Sequence, residues 1–198
     1  MVFSDPIFLF AFLPASLVLY WLGAWRFRNV FLVGIGGIFY AWGGGAFVYL
    51  LAGSIVANHV AARVIAKHRE TRPELARWMK RVIVTADLTA LVLWKYAGFG
   101  VAQISRILHG LGIASTWSLN IALPIAISFF TFQSISYVVD VWRGDARPAP
   151  RLVDYASYIL LFPHLIAGPI VRYSHIEHDL LNTPRHRFDD FARGAPRF

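Results

Sequence analysis

The sequence predicts an all-α, multi-pass transmembrane protein with about five spans, one broken or re-entrant segment and a short interfacial helix. Three observations lead there. The 198-residue chain is 57% hydrophobic and only 15% charged, whereas a soluble domain carries about a quarter charged residues. Its mean hydropathy is +0.54. Its charges stand in short clusters between apolar runs instead of spreading over one face. Such clusters mark membrane topology and headgroup contact, so the net charge of +8 argues for membrane lipids as partners and against nucleic acid.

The first span is 7–22. The N-terminus has no Lys or Arg before this run, and no small-residue cleavage site follows Trp21 and Leu22, so a cleavable signal peptide is not expected. Pro14 is expected to kink the span. The next apolar stretch, Val30–Ala57, is interrupted by Gly43, Gly44 and Gly45. Arg26 and Arg28 precede it, and a basic loop follows, with Arg63, Lys67, Arg69, Arg72, Arg77, Lys80 and Arg81. The positive-inside rule places both clusters on one side, which requires two crossings, 30–42 and 47–66. The short first crossing must be thin or tilted.

The fourth span, 82–99, contains Asp87, which either lines a polar pathway or, as the favoured arrangement, forms an ion pair for which Arg63 on the preceding helix is a candidate. Beyond it, Val101, Ile104, Ile107, Leu108 and Leu111 recur at helical spacing, with Gln103 and Arg106 on the other face. That pattern predicts the short interfacial helix. The fifth span is 121–141, followed by Arg143, Arg147 and Arg151. Segment 152–172 is apolar but broken at Pro163 and at Gly168-Pro169. Helix is expected from Leu152 to Phe162, with regular structure interrupted before Arg172. Non-helical backbone at membrane depth must pack inside protein or line a wet cavity. The remainder, 173–198, is a polar tail. The whole, 1–198, reads as part of one membrane-embedded domain.

Candidate site residues gather on the fifth span. Gln133, Ser136, Tyr137 and Asp140 sit at i, i+3, i+4 and i+7 and share one helix face. That face either lines a polar tunnel or packs against other helices, where each hydrogen bond contributes about 1 kcal/mol or less. Asp140, at the end of the span, also has Arg143 within reach as an ion-pair partner. In the broken segment Pro163, His164, Gly168 and Pro169 are the second candidate group. The seven histidines show no metal-binding spacing, and there is no cysteine. Thiol catalysis, disulfides and palmitoylation are excluded, and no metal site is expected. Nucleophile-elbow, phosphate-loop and dinucleotide motifs are absent.

Three stretches carry a resemblance: Met1–Leu22, Leu123–Asp145 (LPIAISFFTFQSISYVVDVWRGD) and Leu161–Tyr173 (LFPHLIAGPIVRY). In order and spacing they resemble the N-terminal part of bacterial membrane-bound O-acyltransferases. The chain is most similar to the alginate O-acetylase branch, which His164 after Phe162-Pro163 fits. The resemblance implies an enzyme of the inner membrane. It would take an acetyl group from a cytoplasmic donor such as acetyl-CoA, as substrate and not as bound cofactor. Periplasmic acetyl-transfer partner proteins would pass the group to an exopolysaccharide such as alginate. It also implies that the catalytic histidine lies beyond Phe198, so no catalytic residue is assigned here, and that this chain is a truncated form, inactive alone. A transporter or non-catalytic membrane scaffold is the alternative, since both also need a buried polar helix face.

The charge asymmetry fixes an orientation. Twelve of the nineteen Lys and Arg residues fall on connections expected in the cytoplasm, and one, Arg106, on the opposite connections. The N-terminus is thus expected in the periplasm. A cysteine at Thr71 should resist labelling by a membrane-impermeant maleimide added to intact cells, and one at Gly44 should react. The reverse pattern inverts the topology.

Overall fold

The computed structural model describes residues 5–22, 27–111, 124, 126–161 and 171–182. Among these the chain is helical and forms no strand. A π-helical turn, Phe8–Phe12, leads into α1, Leu13–Leu22. The turn answers Pro14: Leu13 N–H reaches back five residues to Phe8 O, so the helix widens just where the proline ring enters. Phe8 and Phe12 pack on Phe39 at ring distances of 5.6 and 5.5 Å.

Phe39 belongs to α2, Arg28–Gly44, which is followed by α3, Phe47–His68. Gly45 separates them with φ +54°, a conformation that suits glycine. The expected break at the triple glycine is therefore a real helix end. After α3 a four-residue link leads to Pro73, the first residue of α4, Pro73–Gly110. Proline is at ease there, since its missing N–H would have had no partner.

Helix α4 corrects one expectation. Its 38 residues run unbroken through the stretch assigned to a separate interfacial helix. Gly98 and Gly100 lower helix propensity without stopping it, and no proline intervenes. At 1.5 Å per residue the helix is about 57 Å long, well beyond the ~30 Å hydrocarbon layer. Its amphipathic last turns are a continuation, not a new element. Helices α3 and α4 are each long and apolar enough to cross a bilayer, and Phe8–Leu22 is a shorter apolar helix.

Helix α5, Ile127–Arg143, starts later than expected at 121. Pro124 supplies a carbonyl for the Ile127 N–H, and Ala126 holds φ +59°, so the regular helix begins only after them. It ends at Gly144, φ +90°, whose N–H bonds Asp140 O at 3.0 Å. Helix α6, Leu152–Ile159, stops three residues short of Phe162. Leu161, Val171 and Arg172 are non-helical, so no single helix joins 152 to 172. Helix α7, Tyr173–Asn182, occupies the start of the expected polar tail. It is not merely solvated, because Tyr173 and Leu180 belong to the core.

Helix α3 is central, touching α2, α4, α5 and α6. Helix α2 meets the end of α6 at Gly36, where any Cβ would collide with the Leu160 carbonyl. Gly36→Ala should therefore cost about 1–3 kcal/mol by overpacking. Gly37→Ala, with open space around it, should be tolerated. Thermal unfolding of the two variants in detergent checks the contrast, and equal midpoints would disprove the close approach.

Candidate functional site

The polar face of α5 points inward. Gln133 and Tyr137 are 1% and 0% exposed, Asp140 is buried and Ser136 half-buried. Their partners differ from simple expectation. Tyr137 Oη accepts a bond from Ala149 N–H at 3.0 Å, tying the α5–α6 connection to the helix. Ser136 Oγ donates to Gln133 O in its own helix at 2.9 Å. The Asp140 carboxylate takes a 3.3 Å bond from Ser174 of α7, and no ion pair to Arg143 forms. Arg143 lies exposed past the end of the core. Gln133 Oε1 is buried without a partner.

Around this face stand residues that the sequence did not single out. Tyr155 and Tyr158 of α6 and Tyr173 of α7 are fully buried. Tyr137 stacks on Tyr155 at 4.4 Å and meets Tyr173 edge-on at 4.8 Å. Tyr158 meets Tyr173 at 5.4 Å. Tyr155 Oη donates to Ser134 at 3.0 Å, and Tyr158 Oη to Val171 O at 2.7 Å. His59 of α3 lies parallel to Tyr155 at 6.1 Å. Buried hydroxyls that keep a partner cost little, and their rings supply dense packing. The sequence signal was the Tyr155/Tyr158 pair at i, i+3 in an apolar run, but tyrosine spacing alone does not distinguish a buried cluster from an interfacial belt.

Asp154 closes the other end of α6. Asn29 Nδ2 donates to its Oδ1 at 2.8 Å, and Arg151 grips both oxygens through Nε and Nη2 at 3.0 Å. Asp154 lies outside the five expected spans and has no exposed surface. Burial pushes its carboxyl up, but the bonds from Arg151 and Asn29 outweigh that, and it titrates below the usual carboxylate range. Arg28 and Asn29 also bond Leu180 O, at 2.9 and 3.4 Å, joining α2 to α7.

Asp87 carries a second correction. Its Oδ1 accepts from Asn58 at 3.1 Å, while Arg63, the expected partner, is exposed. Five residues separate Asn58 from Arg63, which turns them about 140° apart on α3. Only the asparagine can face α4. Pro163, His164, Gly168 and Pro169 lie outside the described residues. Among the described residues no cluster of His, Asp or Glu could hold a metal.

The whole chain is 43% identical to a probable alginate O-acetylase of Pseudomonas aeruginosa, covering 38% of that protein. It is 42% identical to a probable alginate O-acetylase of Azotobacter vinelandii, covering 39% of it. A peptidoglycan O-acetyltransferase of Helicobacter pylori is 30% identical over 88% of this chain and 37% of its own length. Along its whole length the chain is similar to the two alginate O-acetylases. It spans about two fifths of the length of these relatives. No protein-family model matches the chain, and no solved structure does. Within the chain, the tyrosine cluster and the Asp154 clamp hold α6 between α2, α3, α5 and α7.

The low titration of Asp154 has a sign that can be measured. A carboxylate held below its unfolded value adds stability above about pH 4, and that stability is lost as pH falls through the folded value. Wild-type stability should therefore begin to drop as pH falls below about 4, and Asp154→Asn should show a lower midpoint at pH 7 with a flatter acid limb. Parallel pH profiles for the two proteins would show that Asp154 contributes nothing.

Proposed function

We propose that this chain forms the N-terminal helical part of a membrane O-acetyltransferase that modifies an exopolysaccharide such as alginate. The observation that carries the reading is similarity along the whole chain to alginate O-acetylases, at 43% and 42% identity. The buried polar face of α5 supports it, because a path for an acetyl group through a membrane needs polar groups turned away from lipid. The donor is a cytoplasmic acetyl thioester such as acetyl-CoA, and acceptance takes place at the periplasmic face of the inner membrane. Acyl transfer to a hydroxyl needs a base within hydrogen-bond reach of the acceptor and donors to stabilise the oxyanion. No residue of 1–198 is assigned as that base. The role proposed for Gln133, Ser136, Tyr137 and Asp140 is to shape and support the interior.

A chimera tests this. Residues 1–198 replace the matched N-terminal portion of the Pseudomonas aeruginosa relative in a strain lacking that protein. Acetyl groups on secreted alginate should return, while 1–198 expressed alone should restore none. A chimera that inserts at normal levels yet leaves the polymer unacetylated would overturn the assignment.

A further inference from the structure

Ser54 and Asn58 stand one helical turn apart on α3, and Asp87 meets them from α4. Asn58 Nδ2 lies 3.1 Å from Asp87 Oδ1, 3.1 Å from Ser54 O and 3.3 Å from Ser54 Oγ. Asn58 has no exposed surface and Asp87 is 9% exposed. Two buried oxygens here have no partner, Asn58 Oδ1 and Asp87 Oδ2. They belong to the two groups already in contact, so both orphans sit at one place between the helices.

The inventory is unbalanced. The Asn58 amide offers two N–H and the Ser54 hydroxyl one O–H. Against them stand both Asp87 oxygens, Asn58 Oδ1, Ser54 Oγ and the Ser54 carbonyl. Turning the amide over would set its oxygen against three other oxygens, so its orientation is fixed by its surroundings. Nothing nearby supplies the missing positive charge. Asp87 joins no ion pair among the described residues. On α3 the neighbouring titratable groups are His59, which lies against Tyr155, and exposed Arg63. On α4 itself Lys95 is exposed, α5 brings uncharged Gln133 and Ser134, and α6 brings Tyr155, bonded to Ser134.

We propose that Ser54, Asn58 and Asp87 form a buried site for one monovalent cation, a sodium ion or a proton. Carboxylate, amide and hydroxyl oxygens are ligands for a hard cation. One carboxylate is neutralised by one positive charge, and a divalent ion would leave a net charge in hydrocarbon, which is costly. Sodium would take both orphan oxygens as ligands. A proton would sit on Asp87 Oδ2 and donate to Asn58 Oδ1, closing a ring of two hydrogen bonds between acid and amide. Either occupant ties α3 to α4 at mid-height.

Thermal unfolding of the detergent-purified chain, followed by tryptophan fluorescence, separates these sources. In the first arm sodium chloride is titrated against equal potassium or choline chloride at fixed pH. In the second, pH is varied in choline chloride. Sodium occupancy predicts a wild-type midpoint that climbs with the logarithm of sodium concentration and a flat response in Asp87→Asn. Ser54→Ala should shift half-saturation to higher sodium. Proton occupancy predicts no sodium selectivity and a wild-type midpoint that rises as pH falls, again flat in Asp87→Asn. If Asp87→Asn yields no monodisperse protein, Asn58→Ala replaces it under the same criteria. Identical responses of wild type and variant in both arms overturn the site.

Discussion

Burying the Asp154 carboxylate is the step on which the rest of the packing depends. An unpaired carboxylate in the interior would be prohibitive, so its oxygens must find donors, and those donors come from Arg151 beside it and Asn29 on α2. Once α6 is fixed at that end, its next residues have no freedom. Tyr155 meets Ser134 and stacks on Tyr137, and Tyr158 reaches Val171. An eight-residue helix would be marginal by itself. Here it is held by α2, α5 and the chain leading into α7, and Gly36 lets α2 come close enough to complete the fit.

The same constraint explains where polarity sits in this chain. Lipid offers no hydrogen bonds, so polar side chains in apolar helices turn inward and pair. The outward faces of the N-terminal π turn, α1 and α4 carry large apolar side chains such as Phe10, Trp21, Leu93 and Phe99. The inward faces of α3, α5 and α6 carry Asn58, Gln133, Ser134, Tyr137 and Tyr155. This distribution gives the protein a polar interior behind apolar outward faces. The basic connection between α3 and α4 stays outside that interior, and Lys80, in the first turns of α4, rests 3.6 Å above the Trp142 ring.

Much of this was legible in the residues. The helix end at Gly45 follows from backbone chemistry that glycine imposes locally. The inward face of α5 follows from spacing alone, because residues three and four apart share a helix face whatever lies opposite. The partners were not legible. Asp140 bonds Ser174 and not Arg143, and Asp87 bonds Asn58 and not Arg63, since charge suggested the pairs while helix rotation selected others. The amphipathic pattern past Phe99 was read as a new helix because periodicity records a face and not a continuous axis.

Sequence by itself determined the all-helical class, the membrane character and the residues able to hydrogen-bond within apolar helices. These are properties of composition and of short-range periodicity, which the backbone converts into structure within a few turns. Tertiary structure alone decided that α4 runs as one helix, that Tyr173 joins the core, and that Asp154, Tyr155 and Tyr158 make α6 the meeting point. Those outcomes depend on relative rotation and distance between helices far apart in the chain. Such geometry is set by packing many side chains at once, and no local pattern records it.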